Sequence, residues 1–195
     1  MHQLIQLLNQ VSPMSPALTE RLLRIIKEVR FKKGDVILAE GSIASHIYFI
    51  ESGLVRSYYI LNGKEVSNWF MKEGDIFISV LSFLRQIPSV DTHIALEDCL
   101  CWGISYAELE ETYELHPEFN KHGRLISNEY YCRSEERHIA LKRQEPERKY
   151  ELLMEKDPDL VLRVRNKDMA SFLDVSPRSY DDMRSAYAEN MKKKK

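Results

Sequence analysis

Short apolar and aromatic segments, interrupted at near-regular intervals by glycine, fill the stretch from Lys33 to Phe77. Strands rich in Val, Ile, Tyr and Phe, separated by turn residues about every eight to twelve positions, are typical of an antiparallel sandwich or barrel. The pair Asn62-Gly63 is the sharpest signal in this stretch, because a two-residue type I′ turn needs positive φ at both positions. We therefore expect residues 56–61 and 64–70 to pair as a hairpin within a small β-roll.

Five short motifs along this stretch resemble one family in their order and spacing. They are Gly34-Asp35, Glu40-Gly41, Ile47-Tyr48-Phe49-Ile50, Gly53-Leu54-Val55-Arg56 and Glu73-Gly74-Asp75. Together they resemble the cyclic-nucleotide-binding roll of the catabolite-activator/fumarate-nitrate-regulator family of bacterial transcription factors, and the resemblance extends over nearly the whole chain. It implies an α+β fold: an antiparallel β-roll of the double-stranded β-helix or jelly-roll type with flanking helices, a long dimerisation helix, and a C-terminal helix-turn-helix domain.

Composition restricts the class of protein without identifying it. The chain has 195 residues, of which 44% are hydrophobic and 30% charged, as in ordinary globular proteins. No apolar run approaches the roughly 18 residues of a membrane span, and the N-terminus lacks the pattern of a secretory signal. We therefore expect a cytoplasmic protein with no membrane partner. Its three cysteines are too few for a disulfide framework or for a four-cysteine iron–sulfur cluster within one subunit.

A seven-residue repeat lies in the proline-free stretch that ends near residue 143, where Leu125, Cys132 and Ile139 recur with Ile126 alongside. Two parallel helices need such a repeat to keep one face toward each other. The repeat predicts a homodimer built on residues 116–144, with these four residues at the interface. Positions 122, 129 and 136 are polar, so the alternative of a helix that packs only on its own roll stays open.

Two short helices joined by a tight turn are predicted near the C-terminus. Asn166 can cap the first helix, and Ser176-Pro177 can cap and start the second. Because only residues 173–175 lie between them, the segment has the pattern of a helix-turn-helix. Asp174 occupies the turn position that usually holds glycine, and Asp tolerates left-handed geometry better than most residues do.

Domain boundaries follow from these elements and from the distribution of charge. We predict a sensor roll over residues 1–115, a dimerisation helix over 116–144 and a DNA-binding domain over 146–195, with a hinge before Pro146. Residues 1–141 hold 14 Lys and Arg against 19 Asp and Glu, whereas residues 142–195 hold 14 against 11. The positive end is therefore the carboxyl end, where DNA affinity would need cations.

Charges on the second helix of this pair are exchanged relative to the family. Relatives commonly place a glutamate near the helix start and an arginine one turn later, and the matching positions here are Arg178 and Asp182. Arg can bind guanine and Asp can accept from the cytosine amino group. The DNA sequence that this protein recognises should therefore differ from the one that its relatives recognise. The predicted DNA contacts are Lys167, Ser176, Arg178, Ser179, Asp182 and Arg184. The adjacent acids at 181 and 182 would face the DNA phosphates. They leave open the alternative that the protein is a degenerate family member that has lost DNA binding and acts through protein contacts.

The effector loop also departs from the family. In relatives that bind cyclic AMP, this loop supplies a Gly-Glu pair for the ribose and, about ten residues later, an Arg followed by Ser or Thr for the cyclic phosphate. The matching positions read Ile78-Ser79 and Ser89-Val90. Burying a phosphate without a cation is costly, so we expect no cyclic AMP, no cofactor, and either another small molecule or no ligand at all. The candidate effector-pocket residues are Ser79, Arg85, Ser89, Val90, Thr92 and Tyr130.

Catalytic residues are not evident. The six histidines have no metal-ligand spacing, and we predict neither an enzyme nor a metal site. His46 and His93 could point into the roll, where metal-binding cupins share a related architecture, so a cupin-like enzyme is the third alternative. The favoured interpretation is a homodimeric, DNA-binding transcription regulator with a palindromic operator. RNA polymerase is a further candidate partner.

Overall fold

The computed structural model describes residues 3–143 and 145–193. The chain divides into two compact units. Residues 1–59 and 69–130 form the first, which we name the roll unit. Residues 60–68 and 131–195 form the second, which we name the helical unit.

Eight strands build two four-stranded sheets. The strands are β1 Lys27–Phe31, β2 Val36–Leu38, β3 His46–Ser52, β4 Val55–Leu61, β5 Lys64–Met71, β6 Ile76–Phe77, β7 Thr92–Ala95 and β8 Cys99–Ser105. One sheet has the order β1-β8-β3-β6 and the other β2-β7-β4-β5. The β1–β8, β3–β8, β3–β6, β2–β7 and β4–β7 pairs are antiparallel. The predicted α+β class with an antiparallel roll is therefore confirmed.

Turn residues set the strand connections as the sequence predicted. Between β4 and β5, Asn62 has φ 52° and Gly63 has φ 74°, which is the left-handed geometry of a type I′ hairpin. Gly53 joins β3 to β4 at φ 107°. A Cβ atom there would lie 2.6 Å from Cys99 Sγ and 2.7 Å from the Asp98 carbonyl oxygen. Only glycine fits this turn, because both its φ and its surroundings exclude a side chain.

Two helices precede the strands: α1 Gln3–Val11 and α2 Pro16–Ile25. The Ser15 side chain caps α2 by accepting from the backbone N–H of Leu18 at 3.2 Å. Both helices bury a leucine and isoleucine stripe in a core that includes Phe49, Phe83 and Phe119. A second cluster, which contains Ile50, Val55, Phe77 and Cys101, lies among the strands.

Seven further helices lie in the described part of the chain. They are α3 Val80–Arg85, α4 Tyr106–Leu115, α5 Phe119–Arg143, α6 Pro146–Lys156, α7 Pro158–Arg163, α8 Asn166–Phe172 and α9 Pro177–Lys193. A capping box starts α4, in which the Ser105 side chain accepts from Glu108 N–H and the Glu108 carboxylate accepts from Ser105 N–H. The long helix begins at Phe119, just after Pro117, so it is a few residues shorter than the predicted segment 116–144.

The helical unit has its own apolar core around α8 and α9. Its buried members are Tyr150, Leu160, Val164, Met169, Ala170, Leu173, Tyr180 and Met183. The rings of Tyr150 and Tyr180 meet edge to face, with centroids 5.6 Å apart. Ala170, which is fully buried, has a small side chain that lets the two helices approach closely.

Candidate functional site

A buried carboxylate organises the interior of the roll unit. Ser57 Oγ donates to Asp91 Oδ2 at 2.6 Å, and Ser79 Oγ donates to Oδ1 at 2.7 Å. Ser89 Oγ donates to the same Oδ1 at 2.6 Å, and His93 Nε2 lies 3.1 Å from Oδ2. We call these five residues the Asp91 cluster. All of them are buried. They come together from strand β4, from the N-cap of α3, and from strand β7 with the residues just before it.

The Asp91 cluster keeps its carboxylate ionised. Burial by itself raises the pKa of Asp91, but the hydrogen bond and charge of His93 and the hydroxyls of Ser57 and Ser89 outweigh it and hold the pKa well below its ordinary value. A buried charge of this kind is stable only because each of its oxygens has two hydrogen-bond donors. The roll unit therefore contains a permanent internal anion at neutral pH.

Two of the predicted effector-pocket residues belong to this cluster. Ser79 and Ser89, which the resemblance predicted to lie at the ribose-binding and phosphate-binding positions, have their hydroxyl oxygens 2.9 Å apart. The sequence thus identified two positions that the fold brings together. Their partner is the carboxylate of Asp91 rather than a cation. The structure supplies a negative charge beside Ser89, which would repel a phosphate.

The other four predicted pocket residues lie apart from the cluster. Arg85 is exposed in the last turn of α3, and Val90 is 65% exposed. Thr92 Oγ1 accepts from the backbone N–H of Glu40 at 3.1 Å, while the Tyr130 ring stacks on Trp69 with centroids 5.6 Å apart. Arg85 therefore lies at an exposed helix end and takes no part in the hydrogen bonds of the Asp91 cluster.

Asp91, the centre of the cluster, was not among the residues predicted from the sequence. A signal was present, because Ser89, Asp91 and His93 alternate, and alternate residues of an extended segment point to the same face. Ser57 could not have been found in this way, since it lies on a different strand. The register that places Ser57 opposite His93 comes from the pairing of β4 with β7.

Beside the cluster, the roll unit contains a partly open cavity of about 200 Å³. The cavity is lined by Ile37, Leu38, Ala39, Ser42, Ile43, Ala44, Ser45, His46, Tyr48, Phe77, Ile78, Ser79 and His93. Two lining residues, Ser79 and His93, also belong to the Asp91 cluster, so the cavity and the buried anion are neighbours. Four rings follow one another along the wall: centroids are 5.8 Å apart for His46 and Tyr48, 5.3 Å for Tyr48 and Phe77, and 5.9 Å for Phe77 and His93.

The α8–turn–α9 pair has the geometry that the sequence predicted. Asp174 lies in the turn at φ 56°, and the Ser176 hydroxyl caps α9 by accepting from the backbone N–H of Ser179 at 3.0 Å. Asn166 differs from the prediction: Arg165 is the N-cap of α8, and no side chain provides the capping bond. Asn166 is instead the first helical residue, and its side chain is engaged elsewhere.

That side chain joins α8 to α9. Asn166 Nδ2 donates to Asp181 Oδ1 at 2.9 Å, and Asn166 Oδ1 accepts from Arg184 Nη1 at 3.0 Å. Asp181 is therefore part of a hydrogen-bonded network within the unit. Arg184, which the sequence suggested as a phosphate contact, has a structural partner of its own.

Three of the predicted DNA contacts are charged side chains that remain available. Lys167, Arg178 and Asp182 are exposed and make no hydrogen bond or ion pair with any residue in 3–143 or 145–193. Arg178 and Asp182 are four residues apart on α9, so they lie on one helical face. Tyr180 and Met183 are buried, so the face of α9 that carries them packs in the core of the unit.

The predicted interface residues on α5 differ in exposure. Leu125 and Ile126 are half-buried, and Ile126 packs partly against the core of the roll unit. Cys132 is exposed, and Ile139 is 45% exposed. Tyr131, next to Cys132, is 66% exposed. In the single chain, the second half of α5 therefore carries apolar side chains in contact with solvent.

Neither a metal-binding group nor a membrane-spanning helix is found among the described residues. Residues 3–143 and 145–193 hold no group of three or more His, Cys, Asp and Glu side chains arranged to bind a metal ion. In the same ranges, no helix has the length and apolar character that crossing a membrane requires.

Comparison with known proteins identifies the fold. Residues 28–116 match the model of the cyclic nucleotide-binding domain family. The structure is similar to FixK2 from Bradyrhizobium japonicum, with a TM-score of 0.74 at 20% identity over 85% of this chain and 86% of that chain. A search of curated proteins found no match.

Two further solved structures are similar. For the c-di-GMP responsive global regulator CLP of Xanthomonas campestris, the TM-score is 0.69 at 15% identity, over 90% of this chain and 93% of that chain. For the Thermus thermophilus catabolite activator protein, the TM-score is 0.56 at 17% identity, over 92% of this chain and 86% of that chain. The resemblance predicted from the sequence is thus confirmed: the chain has the fold of the catabolite-activator/fumarate-nitrate-regulator family and carries that family's cyclic nucleotide-binding type of domain over residues 28–116.

Proposed function

We propose that this protein is a cytoplasmic, homodimeric transcription regulator that binds DNA through the α8–turn–α9 pair. The observation that carries the proposal is the exposed face of α9, on which Arg178 has no partner among the described residues. A helix of this kind, held against a first helix by a buried core, can enter the major groove. The fold shared with the c-di-GMP responsive global regulator CLP supports the same function.

Each available side chain has a role in this proposal. Arg178 would read guanine through its O6 and N7 atoms, and Asp182 would accept from the amino group of cytosine one turn later. Lys167 and the carboxyl-terminal positive charge would contact phosphates. The hydrogen bond from Asn166 to Asp181 reduces the repulsion that the two adjacent acids would otherwise exert on the DNA backbone. Ser176 and Ser179, which lie at the start of α9, complete the proposed contact surface.

Dimerisation through α5 is the second part of the proposal. Cys132 and Ile139, spaced by one heptad, are exposed in the single chain, and Leu125 is half-buried one heptad earlier. In a parallel helix pair these positions meet their counterparts on the second chain. Such a dimer would present two copies of α9 to a palindromic operator with half-sites about one DNA turn apart.

The roll is the proposed sensor, and the domains would be residues 1–115, 116–144 and 146–195. The family match over residues 28–116 supports a regulatory rather than an enzymatic role for this part. Cyclic AMP is not the proposed effector, because Asp91 places a buried anion beside Ser89, the position that would need a phosphate-binding cation. RNA polymerase is a candidate partner to which no residue is assigned.

Selection from a random duplex library at low salt tests the proposal directly. The wild-type protein should enrich one palindromic sequence, with half-sites centred about 10–10.5 base pairs apart. Arg178→Ala should weaken binding to that sequence by about 1–3 kcal/mol and relax its preference, whereas Lys167→Ala should weaken all sequences alike and lower the salt slope by about one. Arg24→Ala, which removes an exposed arginine from α2, is the matched charge control and should change neither.

An alternative function is decided by the same experiment. The exposed acid Asp182 on α9 and the net charge of −2 would suit a family member that has lost DNA binding and acts through protein contacts. If no sequence is enriched at low salt, with or without a cell extract as a source of effector, the DNA-binding proposal fails and this alternative replaces it.

A further inference from the structure

The cavity of the roll unit, with the Asp91 cluster beside it, is suited to one class of ligand. We propose that it binds a small amine: a molecule with one ring or an apolar body of similar size that carries a positive charge and donates hydrogen bonds. The inference rests on the proposed function only in calling this molecule the effector. The binding itself depends on the geometry of the roll unit.

Hydrogen bonding within the cluster decides what the cavity wall offers. A carboxylate can only accept, so Ser57, Ser79, Ser89 and His93 all direct a donor toward Asp91. Ser79 and His93 also line the cavity. With the Ser79 hydrogen directed at Asp91, the Ser79 oxygen remains as an acceptor. A ligand that donates a hydrogen bond to this oxygen is therefore favoured at this end of the cavity.

Charge favours a cation in the same place. Asp91 is 8% exposed and lies directly behind two lining residues, and a charge in the protein interior acts more strongly than one in water. The lining residues of the described chain include no Lys or Arg. The nearest buried cation in sequence, Arg56, precedes Ser57 on β4, and its guanidinium lies over the Tyr58 ring at 4.6 Å. Successive residues of a strand face opposite sides, so Arg56 points away from the cluster.

Aromatic rings form much of the remaining wall. His46, Tyr48, Phe77 and His93 follow one another with neighbouring centroids 5.3–5.9 Å apart. Aromatic rings attract cations and pack well against flat apolar groups. A small amine would gain from both contacts, whereas an anion would gain from the packing only and would be repelled by Asp91.

Size restricts the ligand further. Sites for drug-sized ligands have volumes of roughly 300–1,000 Å³, and an apolar cavity of about 150 Å³ holds a benzene molecule. At about 200 Å³, this cavity has room for one ring and a short polar arm. A nucleotide, with its base, sugar and phosphate, would extend well beyond it.

Three probes of the same size and different charge test the inference on the full-length protein without DNA. They are benzylamine, which is a cation at pH 7, benzyl alcohol, which is neutral, and benzoate, which is an anion. Binding is measured by calorimetry and by the chemical shifts of the histidine ring protons. We expect benzylamine to bind about tenfold tighter than benzyl alcohol, as an attenuated charge interaction would give, and benzoate not to bind.

Two outcomes with wild-type protein would overturn the inference. One is binding of benzoate as tight as that of benzylamine, since the buried anion would then not govern the site. The other is that none of the three probes binds at low millimolar concentration. Neither result depends on a variant that might fail to fold.

Variants then locate the bound probe. Ala39 lines the cavity and is exposed, so Ala39→Leu should narrow the cavity at little cost in stability and weaken benzylamine at least tenfold. Asp91→Asn should reduce the preference for benzylamine over benzyl alcohol to less than about threefold. Asp98→Asn, at an exposed acid paired with Lys32, is the matched control and should leave both affinities unchanged. Equal binding in wild type and Ala39→Leu would place the probe elsewhere and refute the site.

The result is separable from the test of DNA binding. A protein that enriches a DNA sequence but ignores the amine refutes only this inference. A protein that binds the amine and enriches no DNA sequence refutes only the proposed function.

Discussion

Replacing the buried carboxylate by its neutral isostere, Asp91→Asn, is the most informative perturbation of the roll unit. The substitution keeps the shape of the side chain and changes all four of its hydrogen bonds. Bonds to a charged group contribute about 1.5–3 kcal/mol and neutral ones about 0.5–1.5 kcal/mol. Each bond at Asp91 should therefore weaken by about 1 kcal/mol, or about 4 kcal/mol in total.

Two further effects modify this sum. The new amide NH₂ group must face donors, and leaving one buried donor unsatisfied costs about 1–3 kcal/mol. In the opposite direction, the protein no longer buries an ion, a change that recovers roughly 3 kcal/mol. The free energy of unfolding of the roll unit should thus fall by about 3 kcal/mol, which lowers Tm by on the order of 10 °C.

Urea unfolding followed by tryptophan fluorescence measures this change selectively. Both tryptophans, Trp69 and Trp102, belong to the roll unit, so the signal reports on this unit. Asp98→Asn is the control, because Asp98 is an exposed acid, and it should leave the midpoint almost unchanged.

The effect of pH has a definite sign. The pKa of Asp91 is lowered from its ordinary value of 3.8 in the folded protein, so the ionised form adds stability that is fully present above that value and is lost as the pH falls further. The difference between wild type and Asp91→Asn should be constant above about pH 5 and shrink below about pH 4. A stability loss under about 1 kcal/mol, or a difference that does not shrink in acid, would refute the account of Asp91 as a fully satisfied internal anion.

The remaining predictions concern the ligand, the dimer and the DNA surface. Cyclic AMP should not bind in calorimetry, because the carboxylate beside Ser89 repels its phosphate; micromolar binding would contradict this. Replacing Leu125 and Ile139 together by Asp should yield a monomer in light scattering, because unpaired charge in an apolar seam costs several kcal/mol; a double mutant that stays dimeric would place the interface elsewhere. Mild oxidation should produce a covalent dimer through Cys132, the exposed cysteine, provided that the paired Cα atoms come within about 7 Å, and Cys132→Ser should abolish it. Asp182→Arg should shift the preferred base in a working DNA reader, and should create only non-specific, salt-sensitive binding in a domain that has lost DNA.

Local sequence signals determined the elements of this fold. The Asn62-Gly63 pair produced the hairpin turn, and Ser176-Pro177 produced the start of α9, because both act through the φ and ψ angles of a few neighbouring residues. Asp174 took the left-handed turn position for the same reason. The order of the glycine-bounded motifs was sufficient to indicate the roll and its family.

Partners that are distant in sequence were decided by the tertiary structure. Asn166 was expected to cap α8, but the packing of α9 brings Asp181 and Arg184 to its side chain, and these hydrogen bonds replace a cap. Arg85 lies in the same loop as the predicted pocket, but the formation of α3 leaves its side chain at an exposed helix end.

The Asp91 cluster shows both contributions in one site. The resemblance predicted from the sequence that the phosphate-binding arginine is absent, with Ser89 in its place, and the alternation from Ser89 to His93 could have indicated one polar face. Only the tertiary structure brought Ser57 from β4 and Ser79 from the N-cap of α3 to the same carboxylate. The reason is physical: a buried charge is stable only where enough donors converge on it, and that convergence depends on strand register and sheet packing, which no local pattern records.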